Sequence, residues 1–195
     1  MNLPNKLTLM RIILIPVVVA ALLLAPAKGW ALWLAAGLLF GVAAITDLFD
    51  GKIARARGLV TDFGKLMDPV ADKLLVTAVF VCFVAQGICS PWVVIIILAR
   101  EFLVTSVRMV ASSKGTVIPA NMWGKAKTVT QMTAIVFVIT AQMVLAILAK
   151  QAAGFETLTY IIYLLEQAVL WISALATVIS GAVYIYDSRE LFKDA

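Results

Sequence analysis

The chain contains no histidine and few charged residues, and these two scarcities narrow the functions open to it. Without histidine, no imidazole general base, nucleophile or metal ligand is available anywhere in the 195 residues. Only 14% of the residues are charged, whereas 63% are hydrophobic. This apolar share is far above that of a soluble domain and indicates a helical integral membrane protein.

Cysteine is also scarce. Cys82 and Cys89 are the two cysteines, and they lie seven residues apart in an apolar segment. This spacing fits neither a metal-ligand pair nor a redox motif. We therefore interpret both as small buried hydrophobic residues.

The hydrophobic residues form long unbroken runs, whereas a membrane β-barrel would show short alternating segments. Six runs are long enough to cross a membrane as helices. The sequence therefore predicts an all-α integral membrane protein with six transmembrane helices in a single domain, residues 1–195. A short interfacial segment, residues 1–5, is expected before the first span. The predicted spans are residues 7–24, 30–54, 66–85, 92–110, 128–149 and 158–186.

Lysine and arginine are divided unevenly between the two sides of these spans. Only Lys28 and Lys150 fall on one side, and Arg100 lies inside the fourth span. Because cytoplasmic connections carry the excess of positive charge, we expect both termini on the cytoplasmic side with the other cations. Those cations are Lys6, Arg11, Lys52, Arg55, Arg57, Lys65, Lys73, Arg108, Lys114, Lys125, Lys127, Arg189 and Lys193.

Carboxylates recur at helical spacing where the second predicted span ends and the third begins. The stretch reads D-x-x-D-G-x-x-A-R, then eight residues, then G-x-x-x-D-x-x-x-D. One pair of aspartates is spaced i, i+3 and the other i, i+4, so each pair shares one face of a helix. The fixed residues of this motif are Asp47, Asp50, Gly51, Ala54, Arg55, Gly64, Asp68 and Asp72.

Four carboxylates converging from two such faces would repel one another and take up protons unless cations lay between them. Two divalent ions would balance the four negative charges, and oxygen ligands favour Mg²⁺, Mn²⁺ or Ca²⁺ over zinc. We therefore expect a divalent-metal site at the membrane surface.

Acidic residues in membrane helices also mark ion pathways, so a divalent-cation carrier is an alternative of another class. In a carrier we would expect acids deep in several spans, whereas here they cluster at one end of two spans. The residues alone therefore favour metal-dependent chemistry on a phosphorylated substrate over transport.

With every fixed residue and the eight-residue spacer present, the motif resembles the defining motif of the CDP-alcohol phosphotransferases. The resemblance implies two divalent cations, Mg²⁺ or Mn²⁺, that bind the diphosphate of a CDP-linked donor. An acceptor hydroxyl would attack the donor phosphorus, and CMP would leave. Asp72 would act both as a metal ligand and as the general base. The other metal ligands would be Asp47, Asp50 and Asp68. The positions that bind the donor would be Gly51, Ala54, Arg55 and Gly64.

Three further stretches, residues 4–11, 99–108 and 124–128, resemble the phosphatidylglycerophosphate synthases of that family. The resemblance implies transfer of a phosphatidyl group from CDP-diacylglycerol to sn-glycerol 3-phosphate, giving phosphatidylglycerophosphate and CMP. The same chemistry with phosphatidylglycerol, inositol phosphate or serine as the acceptor stays open. Such an enzyme would be a multipass protein of the bacterial inner membrane, with its active site facing the cytoplasm.

Three cations at the predicted cytoplasmic ends of the fourth and fifth spans are candidates for binding the acceptor. Lysine and arginine bind phosphate through charge-assisted hydrogen bonds. The alternative is that these residues only orient the protein and contact anionic lipids. Arg100, nearer the membrane interior, is expected to pair with Glu101 or with a backbone carbonyl. The three candidates are Arg108, Lys125 and Lys127.

The resemblance also implies a homodimer, and we expect no nucleic-acid partner. Gly37 and Gly41 form a G-x-x-x-G pattern in the second span. Such a pattern allows close helix packing, so it predicts either tight packing inside the bundle or a seam between two helices of a dimer.

Overall fold

Six helices make up the part of the chain that the structure describes. The structure is a computed structural model that covers residues 3–56, 62–113, 122–149 and 154–189. Within those ranges it describes side chains at residues 8–46, 67, 70–71 and from residue 73 onward. These ranges contain no strand, which confirms the predicted all-α class. The helices are α1 (Leu3–Lys28), α2 (Trp30–Ala56), α3 (Asp62–Ala85), α4 (Pro91–Ser113), α5 (Met122–Leu148) and α6 (Glu156–Asp187).

Each predicted span overlaps one helix, and the differences lie at the polar ends. Residues 3–5, expected in a separate interfacial segment, form the first turn of α1 instead. Pro4 suits that turn because the first residues of a helix have no backbone acceptor for their N–H groups. Helix α5 begins at Met122, before the apolar run, because the lysines and alanine that follow are good helix formers.

Three helices of the described region are long and apolar enough to cross a membrane, through the segments Thr8–Lys28, Met122–Leu148 and Glu156–Asp187. The apolar parts of α2 and α3 are shorter, at Trp30–Thr46 and Lys73–Ala85. They are shorter because the charged motif occupies one end of each helix. Length and composition together therefore identify a membrane protein.

Hydrogen bonds at one end of the bundle establish how the helices alternate in direction. Gly29, with φ of 91°, forms the tight turn between α1 and α2. Gln86 Nε2 after α3 donates to the carbonyl of Leu22 in α1 at 2.6 Å. Gln167 Nε2 in α6 donates to the carbonyl of Ile88, between α3 and α4, at 2.6 Å. The opposite end therefore gathers the end of α2, the start of α3, the end of α4, the start of α5 and the end of α6.

The largest buried cluster joins α1, α2, α3 and α5, with contributions from α4 and α6. Its bulkiest members are aromatic, because large rings fill the space between helices that pack at a distance. Helix α4 packs along α6, where Val104 and Val107 contact Tyr184. The fully buried aromatic residues are Trp33, Phe40, Phe80 and Phe83.

The two glycines of the G-x-x-x-G pattern have different surroundings. A Cβ added at Gly37 would lie 3.1 Å from Ile139 Cγ2 of α5, whereas one added at Gly41 would meet nothing within 4 Å. Gly37 therefore serves close packing of α2 against α5 inside the bundle. Gly41 has space around it within the chain.

We expect Gly37→Leu to destabilise the protein by about 1–3 kcal/mol, because a larger side chain overpacks the α2–α5 contact. Gly41→Leu is the matched control, one helical turn away on the same helix, and should leave stability almost unchanged. Thermal unfolding of the two purified variants in detergent measures the difference. A larger loss for Gly41→Leu would instead indicate that this glycine packs against another molecule.

Candidate active site

The aspartate motif lies on the two helix ends that meet at one end of the bundle. Asp47 and Asp50 are in the last turns of α2, and Asp68 and Asp72 are in the first turns of α3. Helices α2 and α3 also contact each other. The backbone therefore brings both pairs to the same end. The side chains of all eight motif positions lie outside the described side chains.

Among the side chains that the structure does describe, no group of three or more Cys, Asp or Glu residues could hold a metal ion. The four aspartates are outside that set, so their role as metal ligands stays a prediction. Their chemistry suits hard divalent ions, because carboxylate oxygens are the ligands that Mg²⁺ and Mn²⁺ prefer.

A cluster of charged side chains begins at Lys73, the residue that follows Asp72 in α3. Lys73 Nζ donates a hydrogen bond to Thr105 Oγ1 of α4 at 2.5 Å. Successive residues of a helix are separated by a rise of about 1.5 Å, so the cluster lies at nearly the same depth as the last aspartate of the motif.

Glu101 of α4 is the centre of this cluster. Its Oε1 accepts a hydrogen bond from Lys127 Nζ of α5 at 2.5 Å and one from Arg100 Nη1 at 3.1 Å. The side chains of Lys127, Glu101 and Arg100 are only 11%, 12% and 13% exposed. The expected pairing of Arg100 with Glu101 is confirmed. Because the pairs are nearly buried, each charge depends on its partner for stabilisation.

Arg100 also connects α4 to α6. Its Nη2 donates to Ser180 Oγ at 2.8 Å. Gly181 follows, and a Cβ there would lie 3.0 Å from Arg100 Cγ, so a glycine makes room for the arginine stem. A single cluster of charged and polar groups therefore joins α3, α4, α5 and α6.

The three predicted acceptor-binding cations have different surroundings. Lys127 belongs to the cluster, whereas Lys125 is exposed. Two residues on a helix are about 200° apart around its axis, so these lysines cannot both face α4. Arg108 is exposed, but its i+7 spacing from Glu101 puts both on one side of α4. The phosphate-binding role of all three stays a prediction.

The sequence pattern did not single out Lys73, which was counted only as an orientation charge. Its position directly after the motif is the signal that could have identified it. Lys73, Glu101, Lys127 and Gln131 line a cavity of about 20 Å³ between α3, α4 and α5. This volume admits about one water molecule.

Comparison with known proteins places the chain among membrane-bound transferases. Residues 1–182 match the family model of the CDP-alcohol phosphatidyltransferases. The chain belongs to this family. The match extends from α1 almost to the end of α6, and it contains both the aspartate motif and the charged cluster. The motif resemblance is therefore confirmed at the level of the family.

Several relatives resemble this member of the family over nearly the whole chain. The CDP-diacylglycerol–glycerol-3-phosphate 3-phosphatidyltransferase of Bacillus subtilis is 38% identical over 98% of this chain and 97% of its own length. The protein of the same name from Rickettsia felis is 37% identical with the same coverage. A probable phosphatidylglycerophosphate synthase of Mycobacterium tuberculosis is 41% identical over 69% of this chain and 64% of its own length.

We expect Glu101→Gln to destabilise this family member by about 3 kcal/mol, because it removes the carboxylate from two nearly buried cations. Glu156→Gln is the control, since Glu156 is exposed in the first turn of α6 and should change stability by less than about 0.5 kcal/mol. Denaturant titration in detergent gives both values. Equal stability of the two variants would contradict a structural role for the Glu101 pairs.

Proposed function

We propose that the chain transfers the phosphatidyl group of CDP-diacylglycerol to sn-glycerol 3-phosphate, with phosphatidylglycerophosphate and CMP as products. The observation that carries this proposal is the similarity, over almost the full length of both chains, to relatives named for that reaction. The cation cluster beside the motif supports it, because a phosphorylated acceptor needs positive charge next to the reacting centre.

The proposed setting is a bacterial inner membrane crossed by all six helices. The shortest helix has 23 residues and is about 35 Å long, compared with a hydrocarbon core of about 30 Å. The uneven distribution of lysine and arginine supports cytoplasmic termini, and with them a site open to soluble glycerol 3-phosphate. A homodimer is proposed from the family resemblance.

Two divalent ions, Mg²⁺ or Mn²⁺, fit the donor set that the motif provides. Four carboxylates on two contacting helix ends supply oxygen ligands and balance the ionic charge. Bound ions would neutralise the diphosphate of the donor and align it for displacement. The residues proposed to hold them are Asp47, Asp50, Asp68 and Asp72.

The protein groups proposed to act on the substrates come from the same motif. Asp72 accepts the proton of the glycerol 3-phosphate hydroxyl as that oxygen forms a bond to the phosphorus of the phosphatidyl group. The bond from this phosphorus to the CMP oxygen breaks, and CMP leaves. The donor nucleotide is proposed to lie against small residues that let it approach the backbone, with Arg55 as its anchor. Those small residues are Gly51, Ala54 and Gly64.

The acceptor is tested by giving the purified protein CDP-diacylglycerol and one acceptor at a time. We expect glycerol 3-phosphate to exceed serine, inositol phosphate and phosphatidylglycerol in kcat/KM. Glycerol is the matched control, because it lacks only the phosphate. It should be a poorer acceptor by at least about ten- to a hundredfold, the loss expected for one charge-assisted hydrogen bond. Faster product formation with another acceptor would overturn the proposed reaction.

The metal requirement is tested by chelation and by Asp47→Asn, which keeps the shape of the side chain and removes its charge. Chelator should stop CMP release, and Mg²⁺ or Mn²⁺ should restore it. Asp47→Asn should lower turnover by at least about a hundredfold. Asp62→Asn is the control, because Asp62 is outside the motif and should keep its activity. Full turnover in chelator would contradict the metal site, and metal flux without CMP release would favour a carrier.

A further inference from the structure

The charges of the cluster do not balance. Lys73, Arg100 and Lys127 contribute three positive charges, and Glu101 contributes one negative charge. The four described groups therefore leave two positive charges in excess. Buried charge is unfavourable unless a counter-charge is present, so the cluster favours an anion that carries two negative charges.

The two lysines have hydrogen-bond donors to spare. An ammonium group has three N–H donors, and Lys127 uses one on Glu101 while Lys73 uses one on the neutral hydroxyl of Thr105. Both lysines line the cavity between α3, α4 and α5, whereas Arg100 is directed to Ser180 of α6. The spare donors of α3 and α5 therefore belong to the same small space.

The position of this cavity fits the second substrate better than the first. Lys73 follows Asp72 directly, so the cavity lies beside the residue proposed to remove the proton from the acceptor hydroxyl. A group that presents a hydroxyl to Asp72 and a phosphate to the lysines must have both ends within one small molecule. Glycerol 3-phosphate has this form.

We propose that Lys73, together with Lys127, binds the acceptor phosphate in this cavity and makes the site selective for dianionic phosphate monoesters. The proposal rests on the proposed function, in which divalent ions balance the four aspartates. The cavity of about 20 Å³ is smaller than a phosphate, so the flexible ends of the two lysines move apart to admit it. Glu101 balances one of the three cationic charges, and the phosphate balances the other two.

Charge matching explains how the site distinguishes between acceptors. A phosphate monoester carries two negative charges above its second pKa of about 6. A phosphate diester carries one, so it leaves one cationic charge unbalanced in the nearly buried cluster. Serine has no net charge and leaves two. The acceptor class is therefore determined by the number of cations around Glu101 as well as by shape.

The test is calorimetric binding at pH 8, in detergent with Mg²⁺ and without the CDP donor. The two probes are glycerol 3-phosphate and its phosphate monomethyl ester, which differ by one negative charge. The wild-type protein should bind the dianion at least about tenfold more tightly than the ester. Lys73→Met should weaken binding of the dianion by about ten- to a hundredfold and remove most of this preference. Lys127→Met should act in the same way.

Arg189→Gln is the matched control. Arg189 is an exposed cation at the same end of the bundle, where it stacks over Tyr186, and it lies outside the cluster. Its loss should leave both affinities unchanged. An equal effect of Arg189→Gln would show that binding follows overall surface charge, and this would overturn the proposal. Full affinity and preference in Lys73→Met would also overturn it.

The same preparations separate this proposal from the proposed function. If Lys73→Met keeps its preference while the wild type makes phosphatidylglycerophosphate, the phosphate site is wrong and the reaction stands. If the wild type shows the dianion preference but makes product only from inositol phosphate, the phosphate site stands and the proposed acceptor is wrong.

Discussion

Glu101 provides the only printed ion-pair partner of two cations from α4 and α5, and the charged end of the described bundle depends on it. An arginine and a lysine in nearly buried positions would be strongly unfavourable without a carboxylate. Glu101 lets α4 carry these charges within the bundle, and Ser180 and Thr105 extend the interaction to α6 and α3. Because one carboxylate serves several cations, the same arrangement leaves positive charge for a substrate.

The direction of the helices turns this local pairing into a possible active site. Tight turns and the bonds of Gln86 and Gln167 fix one end of the bundle. The opposite end therefore collects the aspartate pairs of α2 and α3 and the cations of α3, α4 and α5. Negative groups that suit metal ions and positive groups that suit phosphate become neighbours along α3. A transfer between two phosphorylated substrates needs both kinds of group.

Much of this arrangement could be predicted from the sequence, because long apolar runs and the spacing of a motif are local features. The helices and the family followed from them. The contacts of Lys127 and Lys125 could not be predicted, since residues two apart on a helix face opposite sides and only the packing of α4 decides which one is buried. Gly37 shows the same limit, because its contact with Ile139 depends on the α2–α5 packing.

The most direct measurement is an experimental structure of the protein with Mg²⁺ and glycerol 3-phosphate. The account predicts phosphate oxygens within hydrogen-bond distance of both Lys73 Nζ and Lys127 Nζ, with the acceptor hydroxyl towards Asp72 and Arg100 still paired with Glu101. A phosphate held by Arg108 or Lys125, with Lys127 still bonded to Glu101 and Lys73 still bonded to Thr105, would contradict it.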